Sequence, residues 1–175
     1  MQLQILYFYI FSIAKNAIKR YNKNMTDEYF MKKAAELSSR AIDNGNEPFG
    51  AVLVKDGKIV YTSENRIFTN HDFTYHAEMG LIRDFCKETG ITDLREYTIY
   101  SSCEPCFMCS GALVWAKIGR LVYGASNKDL NAILGKTGTD CSKIVFENSD
   151  YKPQVTAGIY KEQCIEILRK YFERQ

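Results

Sequence analysis

Residues 97–124, YTIYSSCEPCFMCSGALVWAKIGRLVYG, carry the pattern on which the fold turns. Tyr97 to Tyr100 and Arg120 to Tyr123 are short β-prone runs, and Cys106 to Ala116 between them is apolar, with the small residues Ser110, Gly111 and Ala112. Strand, helix, strand in that order predicts a right-handed crossover onto a parallel pair. Upstream, His76 to Lys87 has helical spacing through Met79, Ile82, Arg83 and Phe85 until Gly90 ends it. A polar loop, Asn65 to Tyr75, precedes that helix, and before the loop Ala51–Val54 and Lys58–Ser63 flank Asp56-Gly57, a strong hairpin signal. From Asp27 to Asn44 the apolar positions Phe30, Ala34, Leu37 and Ala41 recur at steps of three and four, and Gly45 follows as a stop. Beyond Tyr123 lies a less regular stretch with Gly135, Gly138 and Asn148, then an edge strand near Val155 and a closing helix from Lys161 to Phe172. The order after the hairpin, α, β, α, β, implies an α/β fold with a largely parallel sheet under helices, and both residue clusters discussed below open helices.

A chain of 175 residues with 46% hydrophobic and 25% charged residues and three prolines excludes a disordered or low-complexity body. With no internal repeat or separating linker, residues 25–175 read as one domain and residues 1–24 as an N-terminal extension. Met1 to Ala14 is apolar but shorter than the roughly 20 residues a bilayer requires, and its charges follow the apolar run, a poor secretory pattern. Met25 is a plausible start, because Thr26-Asp27-Glu28 opens a helix with an N-cap pattern; the alternative for the extension is a surface or partner anchor with a basic flank. No membrane partner is expected. Four of the 23 basic residues and none of the 21 acidic ones fall within residues 1–24, so the body carries a net charge of −2. That balance argues against nucleic acid and for a small neutral substrate. Three of the six cysteines sit at three-residue spacing, which points to a metal or redox site in a reducing, cytoplasmic setting.

His76-Ala77-Glu78 and, thirty residues after the histidine, Pro105-Cys106-Phe107-Met108-Cys109 carry the chemistry. One imidazole and two thiolates from His76, Cys106 and Cys109 suit zinc and leave a fourth tetrahedral position for water, whose pKa zinc brings near 7. Glu78, two residues from the histidine, is placed to carry protons rather than to bind metal. A histidine, a glutamate two residues on, and a proline followed by a Cys-x-x-Cys pair are the signature of zinc-dependent base deaminases. The alternatives are a redox Cys-x-x-Cys pair, or a structural zinc site in a non-catalytic binding module. Cys103 is expected to stay unliganded, and Cys86, Cys141 and Cys164 to be plain buried residues. His71 is read as a loop residue, Asp72 as a turn former, and Trp115 as a core residue on its helix.

Residues 27–172 resemble the cytidine and deoxycytidylate deaminase superfamily, in its guanine, cytosine and tRNA-adenosine deaminase branch. The resemblance runs through Glu47-Pro48-Phe49-Gly50-Ala51-Val52, Asn65, His71-Asp72, the histidine motif and Ser102-Cys103-Glu104-Pro105-Cys106. It implies a three-layer α/β/α sandwich around a mixed five-stranded sheet, a zinc cofactor, and commonly a homodimer. In that branch an asparagine at the place of Asn65 hydrogen-bonds the ring, and in the guanine enzyme an aspartate matching Asp129 faces the base, where guanine's N–H donors need an acceptor. Asn65, Asp129 and Ala77 are thus the expected substrate contacts. Glu47-Pro48-Phe49-Gly50, Ser102 to Cys106 and Trp115-Ala116-Lys117 resemble guanine deaminase, whereas Ile118 to Gly124 and Val155 to Phe172 look more like the tRNA adenosine enzyme. The expectation is deamination of guanine to xanthine and ammonia in purine metabolism, with tRNA adenosine or another cytosine or nucleoside substrate as the alternative.

Overall fold

The hairpin forms where Asp56-Gly57 puts it. In the computed structural model, which describes residues 26–173, β1 (Gly50–Lys55) and β2 (Lys58–Glu64) are antiparallel. Asp56 and Gly57 have φ of 51° and 71°, the positive pair that a two-residue hairpin turn of the favoured twist demands. The readings of residues 1–24 and of Met25 as the start lie outside the described residues.

On its other edge β1 pairs antiparallel with β3 (Thr98–Cys103). From β3 the sheet continues in parallel through β4 (Arg120–Ala125) to β5 (Gln154–Ala157), in the order β2-β1-β3-β4-β5. The sheet is therefore mixed: the hairpin strands supply its antiparallel half and the crossover units its parallel half. Among the described residues six helices join it: α1 (Asp27–Asp43), α2 (Ala77–Thr89), α3 (Phe107–Trp115), α4 (Asn127–Ile133), α5 (Cys141–Glu147) and α6 (Lys161–Phe172).

Alternation along the strands divides the apolar residues between two cores. Ala51, Leu53, Ile99 and Leu121 face Leu81 and Phe85 of α2, Leu113 of α3 and Phe146 of α5. Val52, Val54, Tyr100 and Val122 face Phe30 and Met31 of α1 and Leu168 of α6. Period-two side chains on a sheet covered on both sides give the three layers, and each fully buried Leu or Val side chain contributes about 1.5–3 kcal/mol. Gly50 sits where β1 presses on α1: a Cβ there would lie 2.3 Å from the Ala34 carbonyl oxygen and 2.5 Å from the Ser38 nitrogen. The same contact is fastened by the Ser38 hydroxyl, which donates to the Pro48 carbonyl at 2.6 Å.

Two features depart from the sequence reading. Trp115 is 88% exposed instead of packed in the core, because α3 turns Cys109, Ser110 and Leu113 inward and the tryptophan falls off that face. The irregular stretch after β4 holds α4 and α5, seven residues each, too short to show a helical period. No described helix is long and apolar enough to cross a membrane.

Candidate active site

Two helix starts meet at one end of the parallel strands. His76 is the N-cap of α2 and Cys106 the N-cap of α3, both with extended backbone, and neither side chain caps its own helix. The two side chains turn toward each other instead, with Cys106 Sγ 3.6 Å from His76 Nδ1. Cys109, one turn into α3, is fully buried, and one ligand atom from each of the three residues lies within 4.8 Å of the others. Ligand atoms around a tetrahedral zinc with bonds of about 2.0–2.3 Å stand about 3.5 Å apart, so this donor set needs only small adjustments to close on that ion. Cys103 is buried beside the group but does not belong to it.

The charges prepare the same event. A hydrogen bond with Cys109, helped by His76, holds the Cys106 thiol down to about 4 against the penalty of burial. That bond and burial push the Cys109 thiol up, and contact with Cys106 raises the His76 imidazole. A divalent cation bound by both thiols would take them as thiolates and displace the protons they carry.

Glu78, in the first turn of α2, is 5% exposed, and its Oε1 accepts a hydrogen bond from the Ser101 hydroxyl at 2.8 Å. Ser101 lies two residues from Ile99 on β3 and so shares the sheet face that α2 covers. Burial, and after it the charge of Cys106, raises the Glu78 carboxyl above the usual range, where a proton carrier is most useful. A cavity of about 390 Å³ opens over this group, with His76, Glu78 and Cys106 joined in its lining by Glu47, Phe49, Glu104, Asn127 and Leu130. That size suits a nucleobase-sized ligand.

The remaining expected contacts fall differently. Asn65 is fully buried; its Oδ1 accepts from the Ile67 N–H at 3.1 Å, and its Nδ2 is the one buried side-chain donor among the described residues without a partner. Ala77 is fully buried, the first residue of α2, with its methyl in the core on that face. Asp129 is not brought to the cavity wall. Its Oδ2 accepts from the Ser126 N–H and hydroxyl at 2.9 and 2.6 Å, completing the capping box of α4, and its Oδ1 pairs with Lys161 at 3.0 Å. The carboxylate lines a separate cleft with Ile133, Ile165 and Arg169. His71 is exposed at a positive φ of 50°, and Asp72 closes its loop by accepting from the Thr74 N–H at 2.9 Å. Cys141 and Cys164 are buried, Cys86 is half-buried, and all six cysteines are free.

Sequence reasoning missed Ser101, Glu104 and Asn127. Glu104 is buried and accepts from the Asn127 N–H and from the Ser142 N–H and hydroxyl, gathering the starts of α4 and α5 over the cavity. The available signal was polarity in and just after a buried strand: Ser101 and Ser102 within β3 and Glu104 after its end interrupt a run that should otherwise be apolar.

Residues 24–125 match the family described as the cytidine and deoxycytidylate deaminase zinc-binding region. The chain is 42% identical over 148 residues to the guanine deaminase of Bacillus subtilis, covering 84% of this chain and 92% of that one. It is 34% identical over 153 residues to the tRNA-specific adenosine deaminase of Buchnera aphidicola subsp. Schizaphis graminum, covering 87% of this chain and 98% of that one. Among solved structures, one from a study of A-to-I editing by tRNA:A34 deaminases superposes with a TM-score of 0.69 at 34% identity, covering 79% of this chain and 98% of that one.

Proposed function

The chain belongs to the cytidine and deoxycytidylate deaminase family, and we propose that it is a zinc-dependent hydrolase that converts guanine and water to xanthine and ammonia. The observation that carries this reading is the convergence of His76, Cys106 and Cys109, two of which line the same cavity as the buried carboxyl of Glu78.

His76, Cys106 and Cys109 would hold the zinc ion, which supplies the Lewis acidity that makes water a nucleophile at neutral pH. Ser101 fixes one oxygen of Glu78 and leaves the other to take a proton from the attacking water. Glu78 then passes that proton to the lone-pair ring nitrogen beside the amino-bearing carbon; it takes a second proton from the hydroxyl now bonded to that carbon and gives it to the amine, which leaves as ammonia while the carbonyl forms. Asn65 does not line the cavity, and a role at the ring is proposed for it only from the unmet hydrogen bond of its buried Nδ2.

Guanine is favoured by the 42% identity to a guanine deaminase and by the net charge of −2 on residues 25–175. A tRNA adenosine substrate is the second reading, supported by a relative matched over 98% of its own length. The test is ammonia release by zinc-loaded protein from guanine, guanosine, adenine, adenosine, cytosine and cytidine, with tRNA assayed in parallel for adenosine-to-inosine conversion. Release from guanine alone is expected; inosine in tRNA with no release from guanine overturns the substrate, and neither activity in zinc-loaded protein overturns the enzyme. We further propose a homodimer, for which the exposed Phe107 and Trp115 at the two ends of α3 supply apolar surface, and a reducing, cytoplasmic setting consistent with six unpaired cysteines.

A further inference from the structure

Three carboxylates line the cavity, and two are committed. Glu78 faces the reacting group and is held by Ser101, while Glu104 spends both oxygens on the starts of α4 and α5. The third, Glu47, makes no hydrogen bond or ion pair through its carboxylate with any described residue. Burial pushes its carboxyl up, and the nearby His76 imidazole partly opposes that push without hydrogen-bonding to it.

Glu47 is nevertheless rigidly presented. Its carbonyl accepts the Phe49 N–H at 2.8 Å in a tight turn, the Pro48 carbonyl is fastened by Ser38, and Gly50 admits no side chain against α1. A half-buried acid on a fixed turn, without a protein partner and open to a ligand cavity, is an acceptor awaiting a donor.

The chemistry of the donor follows from the bases themselves. Free guanine carries a ring N–H at N1 and another on its imidazole ring. Adenosine, alone or within RNA, has none: N1, N3 and N7 present lone pairs and N9 bears the sugar. A carboxylate set against a ring edge of lone pairs is repelled and left desolvated without a partner. We infer that Glu47 is a specificity-determining residue that accepts a ring N–H of the bound base, and so selects free guanine over adenosine in a nucleoside or RNA strand. This rests on the guanine reading above, and it gives the acceptor role to Glu47, whose carboxylate has no protein hydrogen bond among the described residues, whereas that of Asp129 is engaged by the helix cap and Lys161.

The experiment compares zinc-saturated wild type with Glu47→Gln, Glu47→Ala and Glu47→Asp for steady-state deamination of guanine, and for inosine formation in tRNA. Metal content and thermal unfolding serve as folding controls. Because the carboxylate has no protein partner, the variants should fold and bind zinc as wild type does. Loss of a charged acceptor is expected to lower kcat/KM for guanine about 10- to 100-fold, mainly through KM, with partial recovery in Glu47→Asp and no loss of any activity on tRNA. Unchanged KM for guanine in Glu47→Ala overturns the inference and leaves the guanine reading standing. A wild type that ignores guanine and deaminates tRNA overturns both.

Discussion

Replacing Glu104 by alanine is expected to cost about 3–5 kcal/mol of folding free energy in the zinc-saturated protein, the loss typical of stripping one partner from a buried charged network. Glu104 is 4% exposed, and its Oε2 accepts from the Asn127 N–H at 2.9 Å while its Oε1 accepts from the Ser142 N–H at 3.1 Å and the Ser142 hydroxyl at 2.6 Å. Both N–H groups belong to first turns of short helices, which cannot satisfy them internally. Hydrogen bonds to a charged acceptor contribute about 1.5–3 kcal/mol each, so the gross loss is larger, and water entering the gap returns part of it. Glu104→Gln separates acceptor from shape: one oxygen still serves Ser142, but the amide opposes the Asn127 N–H with a second donor, at about 1–3 kcal/mol. Urea unfolding at saturating zinc measures both values. Amide exchange at Asn127 and Ser142 should accelerate in both variants, and KM should rise as the wall bearing Asn127 and Leu130 loosens. A loss below about 1 kcal/mol for alanine, or unaltered exchange at both amides, would refute the idea that this carboxylate assembles the wall.

Three other outcomes follow. Glu78→Gln should lower kcat by about 10²- to 10⁴-fold while retaining zinc, checked by metal analysis beside turnover; comparable activity would exclude it as the proton carrier. Asp27 accepts two hydrogen bonds from Arg120, at 2.9 and 2.6 Å, and one from Tyr100 at 2.7 Å, and the Arg120 guanidinium holds its carboxyl below the ordinary carboxylate value. That stabilisation is complete above the unfolded pKa near 3.9 and disappears as pH falls through the lower folded value. Asp27→Asn should therefore be less stable than wild type at neutral pH and approach it in acid, as thermal unfolding from about pH 2 to pH 7 would show. Trp115→Ser, which empties an 88% exposed position, should shift the protein toward monomer in light scattering at micromolar concentration without weakening the fold.

Most of the architecture was legible because its signals are periodic. Short β-prone runs marked the strands, steps of three and four marked α1 and α2, and Asp56-Gly57 located the hairpin within a residue of its strand ends. The His-Cys-Cys group placed to hold a metal ion was legible for another reason: its residue types are rare and closely spaced, and both clusters open helices as their neighbours imply. What escaped had no period to show. Seven residues of α4 or α5 span two turns, and their ends are secured by a distant acid, Glu104, that no local pattern links to them. Trp115 was misplaced because an aromatic residue at the end of an apolar helix looks the same in sequence whether it faces a core or solvent.

The two acids, Asp129 and Glu47, show where resemblance and local chemistry part. Read by position alone, Asp129 is a substrate contact; read with its neighbours, Ser126-Asn127-Lys128-Asp129 is a helix cap in which hydroxyl and carboxylate satisfy each other's backbone. Moving that carboxylate into the cavity would give up two hydrogen bonds at the cap and the ion pair with Lys161, with only the ligand to replace them. Glu47 has no such obligations, so a donor on the ligand replaces only water there and breaks no protein hydrogen bond. Where two carboxylates compete for one recognition role, the one with fewer protein partners loses less on binding, and that asymmetry favours the turn after α1 over the cap of α4 as the source of selectivity.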